Sequence, residues 1–241
     1  MTNEIMSTRL PTVAILAGGL ATRLYPLTEK IPKSMIEING RPFVDYQLKS
    51  LNKCGIKKIV FCINYLGKKI IDYIEDGSAY NLDVQYSWDG EEQLGTGGSL
   101  KKAIPLLGET FYVLYGDSFL SVNYRDMYKS FLKSKQKALL SVYKNNDQWD
   151  NSNTVVENGD IVLHSKNKYD KRMKYIDYGT SILLSSVFKD QSNIFDLGHL
   201  YEELAAKGNL AAYIVTNRFF EIGSKTGLDE FSRHVDSLKN N

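Results

Sequence analysis

Short apolar runs that end in turn residues alternate along this chain with stretches whose apolar side chains recur every three or four positions, the two periods of strands and helices. The first run, Thr12 to Leu16 (TVAIL), stops at Gly18 and Gly19, which predicts a buried strand entering a tight loop. Residues 1–11 ahead of it read as a loose tail. Pro42 opens an amphipathic stretch in which Phe43, Tyr46, Leu48 and Leu51 share a helix face, and Gly55 closes it. Strands are predicted at Lys58 to Ile63, Val84 to Trp88 and Phe111 to Tyr115, with helices at Gly67 to Ile74 and about Thr96 to Leu106 between them. Strands alternating with helices imply right-handed crossovers and a largely parallel sheet, whose ligands sit beyond the carboxyl ends of the strands.

The second half changes character. Ala138 to Tyr143 is apolar, and Thr154 to Glu157 and Ile161 to His164 flank Asn158-Gly159, a strong hairpin signal. Tyr175 to Leu184 and Leu210 to Val215 add strands, Phe195 to Ala206 reads as a helix, and the chain from Thr226 looks helical. Without a repeat or a Pro/Ser linker, the expectation is one domain, 12–241, on a mixed sheet.

Composition narrows the function classes. In 241 residues, 30 Lys and Arg face 28 Asp and Glu, a net +2 that is too balanced for capture by nucleic acid or anionic lipid. No apolar run spans a bilayer and the opening residues lack a secretion signal's apolar core, so no membrane partner and a cytoplasmic setting are expected. Cys54 and Cys62 read as small buried hydrophobes, and His164, His199 and His234 as surface or core residues, since none adjoins a nucleophile-elbow motif.

The loop Leu16-Ala17-Gly18-Gly19-Leu20-Ala21-Thr22-Arg23-Leu24 could bring backbone N–H groups and Arg23 to an anion, and Pro32 stiffens the backbone before Lys33. It is neither a P-loop, which needs Gly-Lys-Ser/Thr, nor a dinucleotide fingerprint. The loop followed by Pro32-Lys33 resembles the N-terminal pattern of the sugar-1-phosphate nucleotidyltransferases, which usually carry Gly where this chain has Ala21. The resemblance implies a Rossmann-like three-layer α/β sandwich. It also implies that a sugar 1-phosphate oxygen attacks the α-phosphorus of a nucleoside triphosphate and expels pyrophosphate. That chemistry calls for gathered cations and a metal rather than a protein nucleophile. Arg23 and Lys33 are then the catalytic cations, and Leu16, Ala17, Gly18 and Gly19 contact the nucleotide.

Asp117 ends the strand Phe111 to Tyr115 within Gly116-Asp117-Ser118, either as a Mg²⁺ ligand or as a turn cap. In the resembled family a Gly-Asp here binds Mg²⁺, and Glu221 in Phe219-Phe220-Glu221-Ile222-Gly223-Ser224 stands where a second metal acid, usually Asp, is found. Gln93-Leu94-Gly95-Thr96-Gly97-Gly98-Ser99 precedes a helix; its glycines would let backbone meet a flat base while Thr96 caps the helix. The run is most similar to heptose- and mannose-1-phosphate guanylyltransferases, and N-acetylmuramate-1-phosphate uridylyltransferases share the early motifs. Gln93, Gly95, Thr96 and Gly97 are the implied base and ribose contacts. Asp177, Tyr178 and Gly179 resemble the family's sugar-binding strand. Lys166 is either a sugar-phosphate contact or part of a solvated basic run with Lys171, Arg172 and Lys174. GTP with a heptose or hexose 1-phosphate is favoured over a UTP- or CTP-dependent enzyme acting on another sugar phosphate or a phosphorylated alcohol, and over a non-catalytic nucleotide-sugar sensor. Whether the chain works as a monomer or a dimer is left open.

Overall fold

The structure, a computed structural model, describes residues 9–19, 21–148 and 151–239. Its first half builds β1 (Thr12–Leu16), a small hairpin of β2 (Glu37–Ile38) and β3 (Arg41–Pro42), α1 (Phe43–Lys53), β4 (Lys58–Ile63), α2 (Gly67–Ile74), β5 (Asp83–Trp88), α3 (Gly95–Leu107) and β6 (Thr110–Tyr115). Then come β7 (Ser118–Phe119), α4 (Tyr124–Ser134), β8 (Ala138–Lys144), β9 (Thr154–Glu157), β10 (Asp160–His164), β11 (Tyr175–Leu184), α5 (Leu197–Ala206), β12 (Leu210–Val215), β13 (Phe220–Glu221) and α6 (Lys225–Lys239).

Nine strands form one mixed sheet in the order β5-β4-β1-β6-β11-β8-β12-β10-β9. β5, β4, β1 and β6 run parallel, β11 runs against both β6 and β8, and β12 lies parallel to β8. The mixed sheet expected from the sequence and the three-layer α/β sandwich that the resemblance implies are both present, with an apolar core on each face of the sheet. The apolar runs sit at its centre because a strand covered on both faces must be apolar on both. Alternation then divides β1: Val13 and Ile15 join the core on one face, Ala14 the core on the other. Each fully buried side chain of this size contributes about 1.5–3 kcal/mol.

Asn158 and Gly159 take φ of 53° and 89°, the left-handed pair of a two-residue hairpin, as their identities predict. Helix α4 occupies a stretch where the hydrophobic pattern predicts no element. Yet Asn123 caps it, its Oδ1 accepting from the Asp126 N–H at 3.1 Å, and Tyr124, Met127 and Phe131 bury one face. Of the expected tail, residues 1–8 lie outside the described residues, and Leu10 is buried in the core instead of lying loose. A third apolar cluster, with Leu24, Phe43, Ile222 and Phe231, fastens α6 to α1 and to the segment after the glycine loop.

Candidate active site

Because β1, β4, β5 and β6 are parallel, the segments that leave them open at one edge of the sheet and surround a cavity of about 330 Å³. Leu16, Ala17, Gly18, Gly19, Lys33, Gln93, Gly95, Thr96 and Asp117, all singled out in the sequence, line it. Ser34, Asn64, Asp89, Ser99, Tyr115 and Asp196 line it as well and were not foreseen.

The charged end is built by long-range pairing. Two short strands, β7 and β13, pair antiparallel with Ser118 opposite Glu221, and the Ile222 N–H donates to the Asp117 carbonyl at 2.9 Å. This ribbon carries residue 221 back beside residue 117. Lys33 Nζ donates to Asp117 Oδ2 at 2.9 Å, with both side chains about a quarter exposed. Glu221 is bent onto its own turn, accepting from the Gly223 N–H and, at 2.9 Å, from Ser224 Oγ. Gly223 faces all three groups. A methyl there would lie 2.5 Å from Glu221 Oε2, 3.4 Å from Lys33 Nζ and 3.5 Å from Asp117 Oδ2, so the two carboxylates and the ammonium border one small space. Two acids facing one space suit Mg²⁺, which takes few protein ligands and completes its shell with phosphate oxygens and water. No larger cluster of metal-binding side chains exists among the described residues.

Several expectations are corrected. Ala21, where the resembled family usually carries Gly, adopts the left-handed conformation itself (φ 52°, ψ 38°), with Thr28 Oγ1 donating to its carbonyl at 2.8 Å. Arg23 follows on the next turn, exposed and outside the cavity lining. Gly97 is not free to meet a base. Its N–H donates to the Phe195 carbonyl at 2.9 Å, and a methyl there would overlap the Phe195 ring, so Gly97 and likewise Gly98 make room for residues 193–196. Thr96 caps a different helix from the one expected: its Oγ1 accepts from the Leu197 N–H of α5 at 2.8 Å, leaving Asp196 to border the cavity.

On the sugar side, Tyr178 is buried in the core, edge-on to Phe219 and donating to the Arg218 carbonyl at 3.3 Å, so it is packing rather than a ligand contact. Gly179, at φ 101°, lies where the β11–β8 register shifts. Asp177 Oδ1 accepts from the Gly179 N–H at 2.8 Å, and Asp177, Asp117 and Asp196 all bear on the half-buried Tyr115, whose hydroxyl pKa is pushed up first by desolvation and then by these charges. Lys166 is exposed and outside the cavity lining, as its solvated reading requires. His164 is buried, Nδ1 paired with Thr154 Oγ1 at 3.0 Å, and burial holds its pKa below the ordinary value. Cys62 is a buried free thiol with its pKa pushed up, which suits a core residue.

Asp89 is the least expected member. It is 7% exposed, its Oδ2 accepts from Ser99 Oγ at 2.5 Å, and its carbonyl accepts from Lys102 Nζ at 2.8 Å. Its Oδ1 has no hydrogen-bond partner among the described residues. Burial raises its pKa, against the Ser99 hydroxyl and the nearby Lys102 charge. The sequence signal was an acid directly after a predicted strand and just before the glycine-rich helix start.

Comparison with known proteins decides the family. Residues 12–218 match the family model described as nucleotidyl transferase. The chain belongs to that family. As a nucleotidyltransferase it is 31% identical over 212 residues to D-glycero-alpha-D-manno-heptose 1-phosphate guanylyltransferase of Campylobacter jejuni, covering 87% of this chain and 93% of that one. It is 36% identical over 111 residues to N-acetylmuramate alpha-1-phosphate uridylyltransferase of Neisseria meningitidis, 46% of this chain and 48% of that one. Among solved structures, HddC from Yersinia pseudotuberculosis complexed with GMP-PN superposes with a TM-score of 0.75 at 26% identity, over 94% of this chain and all of that one. This nucleotidyltransferase is the kind of enzyme its glycine loop and Pro32-Lys33 resemble. No helix among its described residues is long and apolar enough to cross a membrane.

Proposed function

We propose that this nucleotidyltransferase couples a nucleoside triphosphate, GTP in preference, to a heptose or hexose 1-phosphate, forming an NDP-sugar and releasing pyrophosphate with the help of Mg²⁺. One observation carries the reading: Lys33, Asp117 and Glu221, far apart along the chain, border one space, and Lys33 and Asp117 also line the glycine-loop cavity. Asp117 and Glu221 would hold Mg²⁺, which supplies Lewis-acid neutralisation of phosphate charge when bound. Lys33 is already held at Asp117 by the 2.9 Å ion pair and balances the charge that develops as the sugar phosphate oxygen bonds to the α-phosphorus and the bond to pyrophosphate breaks. Gly18 and Gly19 let the triphosphate lie close to the backbone. Exposed Arg23, on the same loop, is assigned to the incoming triphosphate. Asp177 and Asp196 offer acceptors to sugar hydroxyls. The guanine and heptose preference is supported by the Campylobacter relative, which matches over most of both chains, and by the guanine nucleotide in the Yersinia complex.

The test is pyrophosphate release from a panel of nucleoside triphosphates against heptose, mannose, glucose and N-acetylmuramate 1-phosphates, with and without Mg²⁺. Release that requires Mg²⁺ and is greatest with GTP is expected. Nucleotide binding without release from any pair would overturn the reading in favour of a sensor.

A further inference from the structure

Resting on the reading above, we infer that Asp89 is the residue that selects guanine, its carboxylate accepting from the N1–H and the exocyclic 2-amine of the base. The cavity has two chemically distinct ends. Lys33, Asp117 and the glycine loop gather charge at one, and the other is closed by the end of β5 and the start of α3, where Asp89 lies. Most polar side chains that border this second end already have partners: Thr96 holds the Leu197 N–H, Asn64 Nδ2 donates to the Glu92 carbonyl at 3.0 Å, and Ser99 is spent on Asp89. Among the buried side chains at this end, Asp89 Oδ1 is the exception, a buried carboxylate oxygen with no hydrogen-bond partner among the described residues. A buried acceptor without a donor is costly, so a ligand that brings donors is favoured and one that brings acceptors is repelled.

That rule separates the bases. Guanine alone presents two adjacent donors on its Watson–Crick edge. Uracil and thymine present one N–H between two carbonyls, while cytosine and adenine each set an amine beside a bare ring nitrogen. A carboxylate with one free oxygen, and a second oxygen committed to a single Ser99 bond, offers two neighbouring acceptors, which is the complement of guanine. Ser99 orients the group: by donating to Oδ2 it leaves Oδ1 for the ligand, and Lys102, clamped on the Asp89 carbonyl, fixes the backbone beneath. Ser99 and Lys102 are accordingly positioning residues, and Asp89 is the residue that touches the base.

The experiment compares binding, by calorimetry, and kcat/KM for GTP, ITP, XTP, UTP and CTP in the wild-type enzyme and in Asp89→Asn. Inosine lacks the 2-amine, so wild type is expected to lose ~10- to 100-fold on going from GTP to ITP, the usual effect of one bond to a charged acceptor. In Asp89→Asn the amide turns an acceptor into a donor. GTP should weaken by a similar factor while XTP, with a carbonyl at position 2, becomes the better purine substrate, a reversal that a misfolded variant could not show. Equal use of GTP and ITP by wild type, a wild-type preference for UTP or CTP, or an unchanged GTP-over-XTP ratio in the variant would each overturn the role of Asp89 and leave nucleotidyl transfer standing. Absence of binding by every triphosphate to wild type would overturn both.

Discussion

Gly223→Ala probes the charged end of the site with a single methyl group. The φ at Gly223 lies outside the left-handed region, so alanine meets no backbone strain there, and the whole effect comes from where its Cβ falls. That position is 2.5 Å from Glu221 Oε2, well inside the ~3.3 Å at which carbon and oxygen ordinarily meet, so the carboxylate must swing away. Swinging exchanges the bonds from the Gly223 N–H and Ser224 Oγ for water, and because the Glu221 carboxylate is already half-exposed the cost is cut to about 1 kcal/mol each. Replacing glycine restricts the unfolded chain and returns about 0.4–1 kcal/mol. The folded state should therefore lose only about 1 kcal/mol, or roughly 2–4 °C in Tm for a chain of this size. Turnover should respond far more. If Glu221 and Asp117 must share one ion beside Lys33, displacing one of them removes a preorganised charge contact worth a factor of about 100 or more. The assay is pyrophosphate release at saturating triphosphate, sugar 1-phosphate and Mg²⁺, alongside a calorimetric melting curve. A folded variant that turns over at the wild-type rate would refute the shared site.

Other perturbations reach different parts of the argument. Lys33→Ala should cut kcat by about 100-fold or more while leaving the melting temperature nearly unchanged, because the ion pair it breaks is partly solvated and contributes little to stability; an undiminished kcat would remove Lys33 from the reaction. Phe231→Ala, at a fully buried ring with centroids 5.0 Å from Phe119 and 5.1 Å from Phe43, should cost about 3–5 kcal/mol in denaturant unfolding, and a loss below 1 kcal/mol would show that α6 is not held as described. Gly97→Ala should weaken nucleotide binding by crowding Phe195, and pairing it with Phe195→Ala should restore part of the loss; no rescue would mean that Gly97 acts on the ligand directly. His164, held neutral by burial, binds its proton more tightly in the unfolded chain, so its contribution to stability is present above pH 6.5 and falls away as pH drops below that value, at up to ~1.4 kcal/mol per pH unit. The wild-type stability lost between pH 7.5 and 5.5 should exceed that of His164→Gln, and parallel pH profiles would contradict this.

What was legible from residue order alone is what local physics controls. Apolar runs too short to be helices specified β1, β4 and β6, the spacing of Phe43, Leu48 and Leu51 specified α1, and Asn158-Gly159 specified a hairpin, because period and turn chemistry act within a few residues. Asp117 was legible for a related reason, since an acid at the carboxyl end of a parallel strand can face only one edge, whereas Lys33 stood out through the resemblance carried by the glycine loop and Pro32-Lys33. The pairing of β7 with β13, each two residues long, was not legible, since neither strand has a periodicity of its own and each exists because the other is there. The same limit misplaced three residues. Thr96 looked like the cap of its own helix but caps one about a hundred positions away, Gly97 owes its lack of a side chain to Phe195, and Tyr178 turns into the core because a register shift beside Gly179 sets its direction. Asp89 is the sharpest instance: the sequence places an acid at a strand end, but only packing against Ser99 and Lys102 leaves one of its oxygens buried and unpaired. Sequence thus determined the strands of the nine-stranded sheet, most of the helices and the edge at which the site opens, since those follow from hydrophobic period and chain direction. Tertiary structure decided which polar atoms are already satisfied and which are left for a ligand, because that depends on contacts between segments no local pattern connects.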